Sequence, residues 1–308
     1  MTRSYWVRRV LIVVPVLLGT TLLIYAMVFA LPGDPIRRLA GNHRISESTY
    51  NEVRRHYHLD KPFLTQYWEY VKGLSHGDLG ETFHGESVSS IIGERFPVTL
   101  RVTLGAFAVE ILLGLAAAFF AALRRGTFLD TLVLVSTLVL ITIPIFVLGF
   151  LAQLMLGVRL HWLPVAGVRQ GWTGYILPSI VLGVGAAAAV GRLARGTLLD
   201  NLQSEHIKAA TARGLPRRRV LGLHVLRNSL VPIVTILGLD LAILMGGAPI
   251  TETIFNLPGL GQQLVRGIQT ENGPVVVGLV TLAALIFIFT NLAVDLLCAY
   301  LDPRIRYG

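Results

Sequence analysis

Four ionisable residues lie within or near the ends of long apolar runs, and they are the first candidates for chemistry: Arg101, Glu110, Asp240 and Asp295. Charge is costly in an apolar run, so such residues usually line a proton or solute path or pair with a neighbour. Arg101 and Asp295, near the run ends, are better explained as interfacial anchors. Glu110 suits helix packing as well as a path. Asp240 is the best candidate for a path residue and could attract a cationic group.

Other chemical motifs are weak. Residues 73–77 (Gly-Leu-Ser-His-Gly) match the Gly-x-Ser-x-Gly nucleophile motif, but no strand–turn–helix pattern surrounds them. The histidines of segment 32–97 are irregularly spaced and form no His-Glu-x-x-His pair, which argues against a metal site. No Gly-x-x-x-x-Gly-Lys-Ser/Thr phosphate loop occurs. We therefore expect no catalytic residue, no metal and no cofactor in this chain.

The composition is that of a membrane protein. Of 308 residues, 53% are hydrophobic and 15% charged, which leaves too little polar surface for a soluble protein of this size. The net charge of +9 comes from short basic clusters between apolar runs, without the aromatic and basic pattern of a nucleic-acid-binding module. Lipid is thus an expected partner, and nucleic acid is not.

Apolar runs predict six transmembrane helices, at about 10–31, 98–123, 129–157, 174–194, 231–248 and 275–300. Basic residues precede the first run as in a signal peptide, but its 22 residues exceed a typical signal core, so we expect it to be retained. Pro144, Pro178 and Pro232 predict kinks. The predicted fold is an all-α integral membrane protein with an N-terminal region (1–97, one helix and the large loop 32–97) and a five-helix core (98–308).

The basic residues orient these helices. If the N-terminus is cytoplasmic, 15 of 27 Lys and Arg residues fall in the cytoplasmic segments, and the two shorter outer loops hold only Arg159, Arg169 and Arg266. Lys and Arg near span ends are retained in the cytoplasm, whereas long translocated loops are largely exempt. The sequence therefore predicts a multi-pass protein with both termini in the cytoplasm and the loop 32–97 outside.

The cytoplasmic loop 195–228 contains a short helix between two spans. Three residues could cap its start: Asp200, Asn201 and Ser204. Glu205 and Arg213 complement the two ends of the helix dipole, and Gly214 followed by Pro216 would end the helix. Its alanines at 209, 210 and 212 give a slim surface that fits a groove in another protein. A helix resting on lipid headgroups explains the same residues equally well.

Five segments, in order, resemble the permease subunits of ATP-binding-cassette importers of the dipeptide and oligopeptide family. They are Leu-Pro-Gly-Asp-Pro at 31–35, Gly-Asp-Leu-Gly at 77–80, RFPVTL at 95–100, EHIKAATARGLPRRRVLGLHVLRNSLVP at 205–232 and TETIFNLPGLG at 251–261. The resemblance covers essentially the whole chain. The large first outer loop is similar to that of the B-type subunit, and the resemblance implies a type I importer permease core in a bacterial plasma membrane.

The resemblance implies that the short cytoplasmic helix docks in a cleft of an ATP-hydrolysing subunit. The residues that it places in this role are Glu205, Lys208, Ala209, Ala210, Arg213 and Gly214. Lys208 stands where the family signature has glutamate, so a glutamate role does not transfer directly. The implied partners are a homologous C-type permease, ATP-binding subunits that hold ATP and Mg²⁺, and an extracytoplasmic substrate-binding protein. That protein would engage the outer segments 252–261 and 32–97.

Two functions are alternatives to that of a non-catalytic peptide permease. A secondary transporter would couple solute to protons through Glu110 and Asp240, but such proteins usually contain inverted repeats with interrupted helices, and the two halves show no convincing repeat. An intramembrane enzyme would need a nucleophile–base pair or a metal set, for which only the isolated serine motif is available. The sequence favours the permease. It does not distinguish dipeptides from longer peptides, haem, nickel complexes or glutathione.

Overall fold

The computed structural model describes residues 3–29, 46–56, 59–82, 85–168, 171–246 and 248–301. Apart from one isolated bridge between Glu81 and Ser87, the regular structure in these ranges is helical. The α-helices are Arg3–Phe29, Glu47–His56, Phe63–Ser75, Val88–Glu110, Ala116–Leu123, Phe128–Thr142, Ile145–Ala152, Ile176–Gln203, Glu205–Ala212, Arg217–Arg219, Arg227–Met245, Pro249–Ile254, Leu260–Gln269 and Gly273–Leu301. Wide π-helical turns at Ile111–Leu115, Gln153–Arg159 and Val220–Leu226 and a 3₁₀ turn at Gly171–Tyr175 extend some of them.

Five helical stretches are long and apolar enough to cross a membrane, and a bent pair of helices makes a sixth candidate. In chain order we call them the first to sixth spans: Ile12–Phe29, Val88–Leu123, the bent pair Phe128–Thr142 with Ile145–Arg159, Gly171–Gln203, Arg217–Met245 and Gly273–Leu301. The all-α fold with about six spans is confirmed. Leu31 and the rest of the 31–35 motif lie outside the described residues.

Three predicted boundaries were wrong in the same direction. The second span begins at Val88 instead of 98, with Pro97 inside the helix. The fourth span continues to Gln203 instead of ending at 194, and the fifth begins at Arg217 instead of 231. The polar and basic residues that mark the ends of the apolar runs are themselves helical, because helical hydrogen bonds are made by the backbone and do not end where the apolar run ends. The loop 195–228 therefore shrinks to a short connection around helix 205–212.

The third span is broken at Pro144. Phe128–Thr142 and Ile145–Arg159 meet at an angle of 101°. Ile143 takes up an extended conformation (φ −80°, ψ 122°), as expected for a residue that precedes proline. The predicted kink at Pro144 is confirmed, and it is a sharp turn. Pro178 lies in the first turn of its helix, where proline is tolerated, and Pro232 lies inside its helix.

Small residues bring the second and fourth spans into backbone contact. A β-carbon at Gly183 would lie 2.7 Å from Val109 Cβ, and one at Gly114 would lie 3.1 Å from the carbonyl oxygen of Ala187. One at Gly191 would lie 3.2 Å from the carbonyl oxygen of Gly114. Small residues at such a seam allow close helix packing in a membrane, where helices associate largely through van der Waals contact. The two spans form the centre of the subunit.

The long loop contains a small folded portion. Helix Phe63–Ser75 packs against the first and sixth spans through a cluster that contains Tyr25, Tyr67 and Val277. The Tyr67 hydroxyl donates to the Leu18 carbonyl oxygen at 2.8 Å and lies 3.0 Å from the hydroxyl of Thr21. These bonds, in addition to apolar packing, fix the loop helix on the spans.

Candidate functional site

Helix 205–212 stands apart from the spans at both ends. Ser204, in extended conformation, separates its first residue from the fourth span. Gly214 has φ +79°, the left-handed conformation that favours glycine at the end of a helix. The predicted stop is confirmed. Of the three predicted caps, Ser204 occupies the N-cap position, but its hydroxyl donates to the Asn201 carbonyl oxygen at 2.5 Å and makes no capping bond. Asp200 and Asn201 belong to the preceding helix.

One face of helix 205–212 is fixed to the membrane-embedded core. Ile207 and Ala210 are buried in a cluster with Leu198, Val220 and Val225, which belong to the fourth and fifth spans. The prediction that Ala210 belongs to an exposed surface was wrong, because its methyl group faces the core of this chain. Burying Ile207 against both spans ties the position of the helix to theirs.

The opposite face is open to solvent. Glu205, Lys208, Ala209 and Arg213 are exposed, as is Gly214 after the helix end. Lys208 Nζ lies 2.7 Å from Glu205 Oε1, one helical turn away. Lys208 thus has an acidic partner within its own helix. An exposed pair of this kind contributes little to stability and remains available to a docking protein.

A partly buried ion pair braces the fourth span, and the sequence analysis did not predict it. Arg195 Nε and Nη2 donate to the two carboxylate oxygens of Asp130 at 2.7 and 2.8 Å. The Gly126 amide also donates to Asp130, at 2.9 Å. The pair joins the third span to the fourth by two parallel bonds, the strong geometry of an arginine–carboxylate contact. A basic residue near the end of an apolar run, with an aspartate early in another, was the available signal.

The structure brings together the two predicted path residues. Glu110 in the second span is fully buried, and Asp240 in the fifth is half-buried and interacts electrostatically with it. Within the described residues, neither oxygen of Glu110 lies at hydrogen-bonding distance from a donor. Two adjacent carboxyl groups repel each other when both are ionised. The pair therefore suits one shared proton or one cation.

A third carboxylate, Glu252, is the centre of a buried network. Its Oε1 accepts from the Thr99 hydroxyl at 2.7 Å, and its Oε2 accepts from the backbone amide of Gln262 at 2.9 Å. The Thr99 hydroxyl also accepts from the Leu260 amide at 2.8 Å. Burial raises the pKa of Glu252, and these hydrogen bonds act in the opposite direction. The network joins the segment between the fifth and sixth spans to the second span.

This network corrects the interpretation of segment 252–261 as an outer docking surface. Glu252, Phe255, Leu257 and Leu260 are buried, and a β-carbon on Gly261 would lie 2.7 Å from the Pro249 nitrogen. In this segment Thr253 and Asn256 are the exposed residues. Gly259 and Gly261 were the signal in the sequence for this burial, because residues without a side chain let the backbone approach the Glu252 carboxylate closely.

Two family profiles match the chain. The profile described as "Binding-protein-dependent transport system inner membrane component" matches residues 111–307, and its N-terminal companion matches residues 1–103. The chain belongs to this family. The permease is 36% identical over 305 residues to the glutathione transport system permease protein GsiC of Escherichia coli O6:H1, covering 99% of each chain. The protein of the same name from Pectobacterium atrosepticum is also 36% identical, with the same coverage.

Solved structures share the fold of this permease. The inward-facing MetNI methionine ABC transporter aligns with a TM-score of 0.54 at 20% identity, covering 70% of this chain and 97% of the other. An amino acid ABC transporter crystallised with histidines aligns with a TM-score of 0.51 at 16% identity, covering 70% and 94%. These likenesses concern the fold alone.

The chain is therefore a permease subunit of an ABC importer and a multi-pass protein of the inner membrane. Its family consists of non-catalytic membrane components of multi-subunit transport systems. Membership favours the importer over a proton-coupled secondary transporter, and the proximity of Glu110 and Asp240 has to be explained within the importer.

Proposed function

We propose that this permease pairs with a homologous second permease subunit and forms half of a path for short peptides, with glutathione as the first candidate. The names of its relatives support the cargo, since those at about 36% identity are glutathione transport permeases. ATP and Mg²⁺ would be held by separate ATP-binding subunits. An extracytoplasmic binding protein would deliver the peptide and supply most of the selectivity.

Helix 205–212 would be the coupling helix, and its two-faced arrangement is the observation that carries the proposal. Ile207 is inserted between the fourth and fifth spans, and Ala209 is exposed on the same helix. A groove in the ATP-binding subunit that closes around Glu205, Lys208, Ala209 and Arg213 would push the buried face against both spans. Since a packed interior resists compression, the displacement would be passed on to the membrane helices.

The orientation follows from this role. Because the ATP-binding subunits are cytoplasmic, helix 205–212 and the basic ends of the neighbouring spans would lie on the cytoplasmic side. Both termini would share that side. The folded loop around helix Phe63–Ser75 would then lie outside, where the binding protein docks.

Residues 1–97 would be an N-terminal addition to a five-helix transport core, 98–308. The separate family profiles for 1–103 and 111–307 support this division. Because the two regions share the second span through Val88–Glu110, the boundary between them is a point within one helix.

The coupling role is tested with the complete importer reconstituted in proteoliposomes. Ala209→Glu places a charge on the exposed face of helix 205–212, and Gln203→Glu places the same charge on the exposed end of the fourth span as a control. We expect uptake of labelled glutathione to fall about tenfold or more in the first variant, with membrane insertion preserved, because a charge buried in a docking groove without a partner is costly. Equal uptake by the two variants would remove helix 205–212 from the coupling path.

Asp240 and Glu110 would line or gate the path. Asp240→Asn keeps the shape of the side chain and removes its charge, so we expect slower uptake with unchanged recovery of the assembled complex. Uptake equal to that of the unmodified importer would assign Asp240 to helix packing. The cargo is tested separately, by competition of unlabelled glutathione against dipeptides and longer peptides in the same uptake measurement.

A further inference from the structure

A cavity of ≈ 340 Å³ lies where the loop-side ends of the first and sixth spans meet helix Phe63–Ser75. Tyr25 and Phe29 of the first span line one side, and Pro274 and Val277 of the sixth span form another. The helix contributes Gln66, Glu69 and Tyr70, and the following turn contributes Asp78 to Glu81. The cavity is separate from helix 205–212, from the Glu110–Asp240 pair and from the Glu252 network.

Aromatic rings supply much of its wall. The ring of Tyr25 lies 4.6 Å from that of Phe29 and 5.3 Å from that of Tyr70, between ring centroids. The Tyr70 hydroxyl donates to Thr281 Oγ1 at 2.8 Å, which fixes the ring. Burial raises the pKa of Tyr70 to about 12, so its phenol stays neutral at physiological pH. Aromatic faces held in this way attract cations through their quadrupoles.

Carboxylates share the cavity with these rings. Glu69, Asp78 and Glu81 line it, and among the described residues that line it none is basic. The Asp78 carboxylate accepts from the Gly80 amide at 2.8 Å, which holds it beside the cavity. The carboxylates of Glu69 and Asp78 beside aromatic faces produce a negative potential in a concave, partly apolar space. An anion is repelled from such a site, and a neutral apolar ligand would make no favourable interaction with its carboxylates.

We propose that this cavity binds an organic ammonium group, either the headgroup amine of a phospholipid or a small soluble amine. Cation–π contact with Tyr25, Phe29 and Tyr70 and charge pairing with Glu69 and Asp78 would act together. A volume of ≈ 340 Å³ is at the lower end of the range for small-molecule sites and matches a headgroup-sized ligand. The position at the ends of two spans gives a lipid direct access.

The soluble arm of the test uses the complete importer in detergent without ATP, with labelled choline and labelled ethanolamine as probes in equilibrium dialysis. We expect saturable binding that is about tenfold weaker in the Glu69→Gln/Asp78→Asn double variant, because the charge pairing is lost. Glu86→Gln removes an exposed carboxylate outside the cavity and should leave binding unchanged. Equal binding by the double variant and the unmodified importer would overturn the proposal.

The lipid arm uses nanodiscs of phosphatidylethanolamine or phosphatidylglycerol, followed by native mass spectrometry of the released complex. Retention of phosphatidylethanolamine by the unmodified importer, and its loss from the double variant, would identify a lipid headgroup as the source. Saturable binding of the soluble amines without selective lipid retention would identify a soluble ligand. The absence of both saturable amine binding and selective lipid retention would refute the ammonium site.

A second pair of variants separates the ring from its hydrogen bond. Tyr70→Phe keeps the aromatic face and loses the bond to Thr281, whereas Tyr70→Leu loses both. We expect Tyr70→Phe to retain amine binding and Tyr70→Leu to weaken it several-fold. Equal weakening in both would mean that Tyr70 acts only by positioning helix Phe63–Ser75, and the cation–π contribution to the site would be rejected. All these measurements are made without transport, so failure of the coupling proposal leaves them unaffected.

Discussion

Two glutamates, each in a segment that marks the family resemblance, lie in opposite surroundings. Glu205 is exposed at the start of helix 205–212 and contacts Lys208 of the same helix. Glu252 is fully buried and accepts hydrogen bonds from Thr99 and from the backbone of Gln262. The first segment leaves its charges available to another protein, and the second uses its charge to hold three regions of this chain together. The two segments therefore differ in their surroundings: the glutamate of one is exposed, and that of the other maintains internal geometry.

The sharpest test of this comparison is Glu252→Ala. Removing the carboxylate leaves the Thr99 hydroxyl and the Gln262 amide without their acceptor in a buried position, so we expect a loss of about 3 kcal/mol in the free energy of unfolding. The measurement is denaturant unfolding of the purified importer, followed by the fluorescence of its tryptophans. Thr253→Ala changes an exposed neighbour on the same short helix and should have little effect. Equal stability of the two variants would show that the network is dispensable.

A smaller loss is expected from Asp130→Asn. The amide can accept from only one of the two Arg195 donors and leaves the guanidinium charge without compensation. Because 16% of the Arg195 side chain is exposed, water solvates part of its uncompensated charge. We therefore expect a loss of about 2 kcal/mol in the free energy of unfolding. Unfolding of the Asp130→Asn/Arg195→Gln double variant checks the pairing. If the two single changes simply add in the double variant, the side chains do not stabilise each other.

Gly214→Ala probes the end of helix 205–212. There is open space around Gly214, so the cost is conformational: alanine disfavours φ +79°, by about 1 kcal/mol. The matched control is Gly222→Ala, which also has open space but lies within a helical turn, where alanine should be neutral or stabilising. We expect the two changes to move the unfolding midpoint in opposite directions. A shift of the same sign in both would argue against backbone strain.

The smallest expected effect on stability is that of Lys208→Ala. Its ion pair with Glu205 is solvent-exposed, so the unfolding midpoint should remain within experimental error. ATP-driven uptake by the same variant then reports on docking alone. A marked loss of stability would mean that helix 205–212 depends on its own charges, and the contrast with Glu252 would weaken.

The sequence was sufficient for the spans and for the end of helix 205–212. Apolar runs of bilayer length identify helices, and Gly214 followed by Pro216 is a local stop signal that needs no tertiary information. The extent of the helices was not predictable in the same way, since the second span begins at Val88 and the fourth ends at Gln203, both beyond the ends of the apolar runs. A hydropathy pattern marks the membrane and says little about the headgroup region.

The candidate sites show the same division, between features set by the local sequence and contacts between residues far apart in the chain. The exposed charges of helix 205–212 follow from local sequence, whereas the burial of Ala210 depends on Leu198 and Val220, contributed by two different spans. The Glu252 network depends on Thr99, 153 residues away in the chain. The Asp130–Arg195 pair spans 65 residues. One sequence gives no distance between such residues, so these contacts could not be predicted.

Because the second and fourth spans are in backbone contact at their glycines, they form one rigid unit, which we call the strut. Backbones in direct contact at Gly114 and Gly191 leave no side-chain layer that could absorb a relative tilt. The fourth span ends one residue before helix 205–212, and the second span holds Thr99, which binds Glu252. With 33 residues in the fourth span, the strut is roughly 50 Å long, so a tilt of about 5° at one end moves the other by roughly 4 Å. If helix 205–212 is the coupling helix proposed above, a push on it would displace the Glu252 network at the far end of the strut.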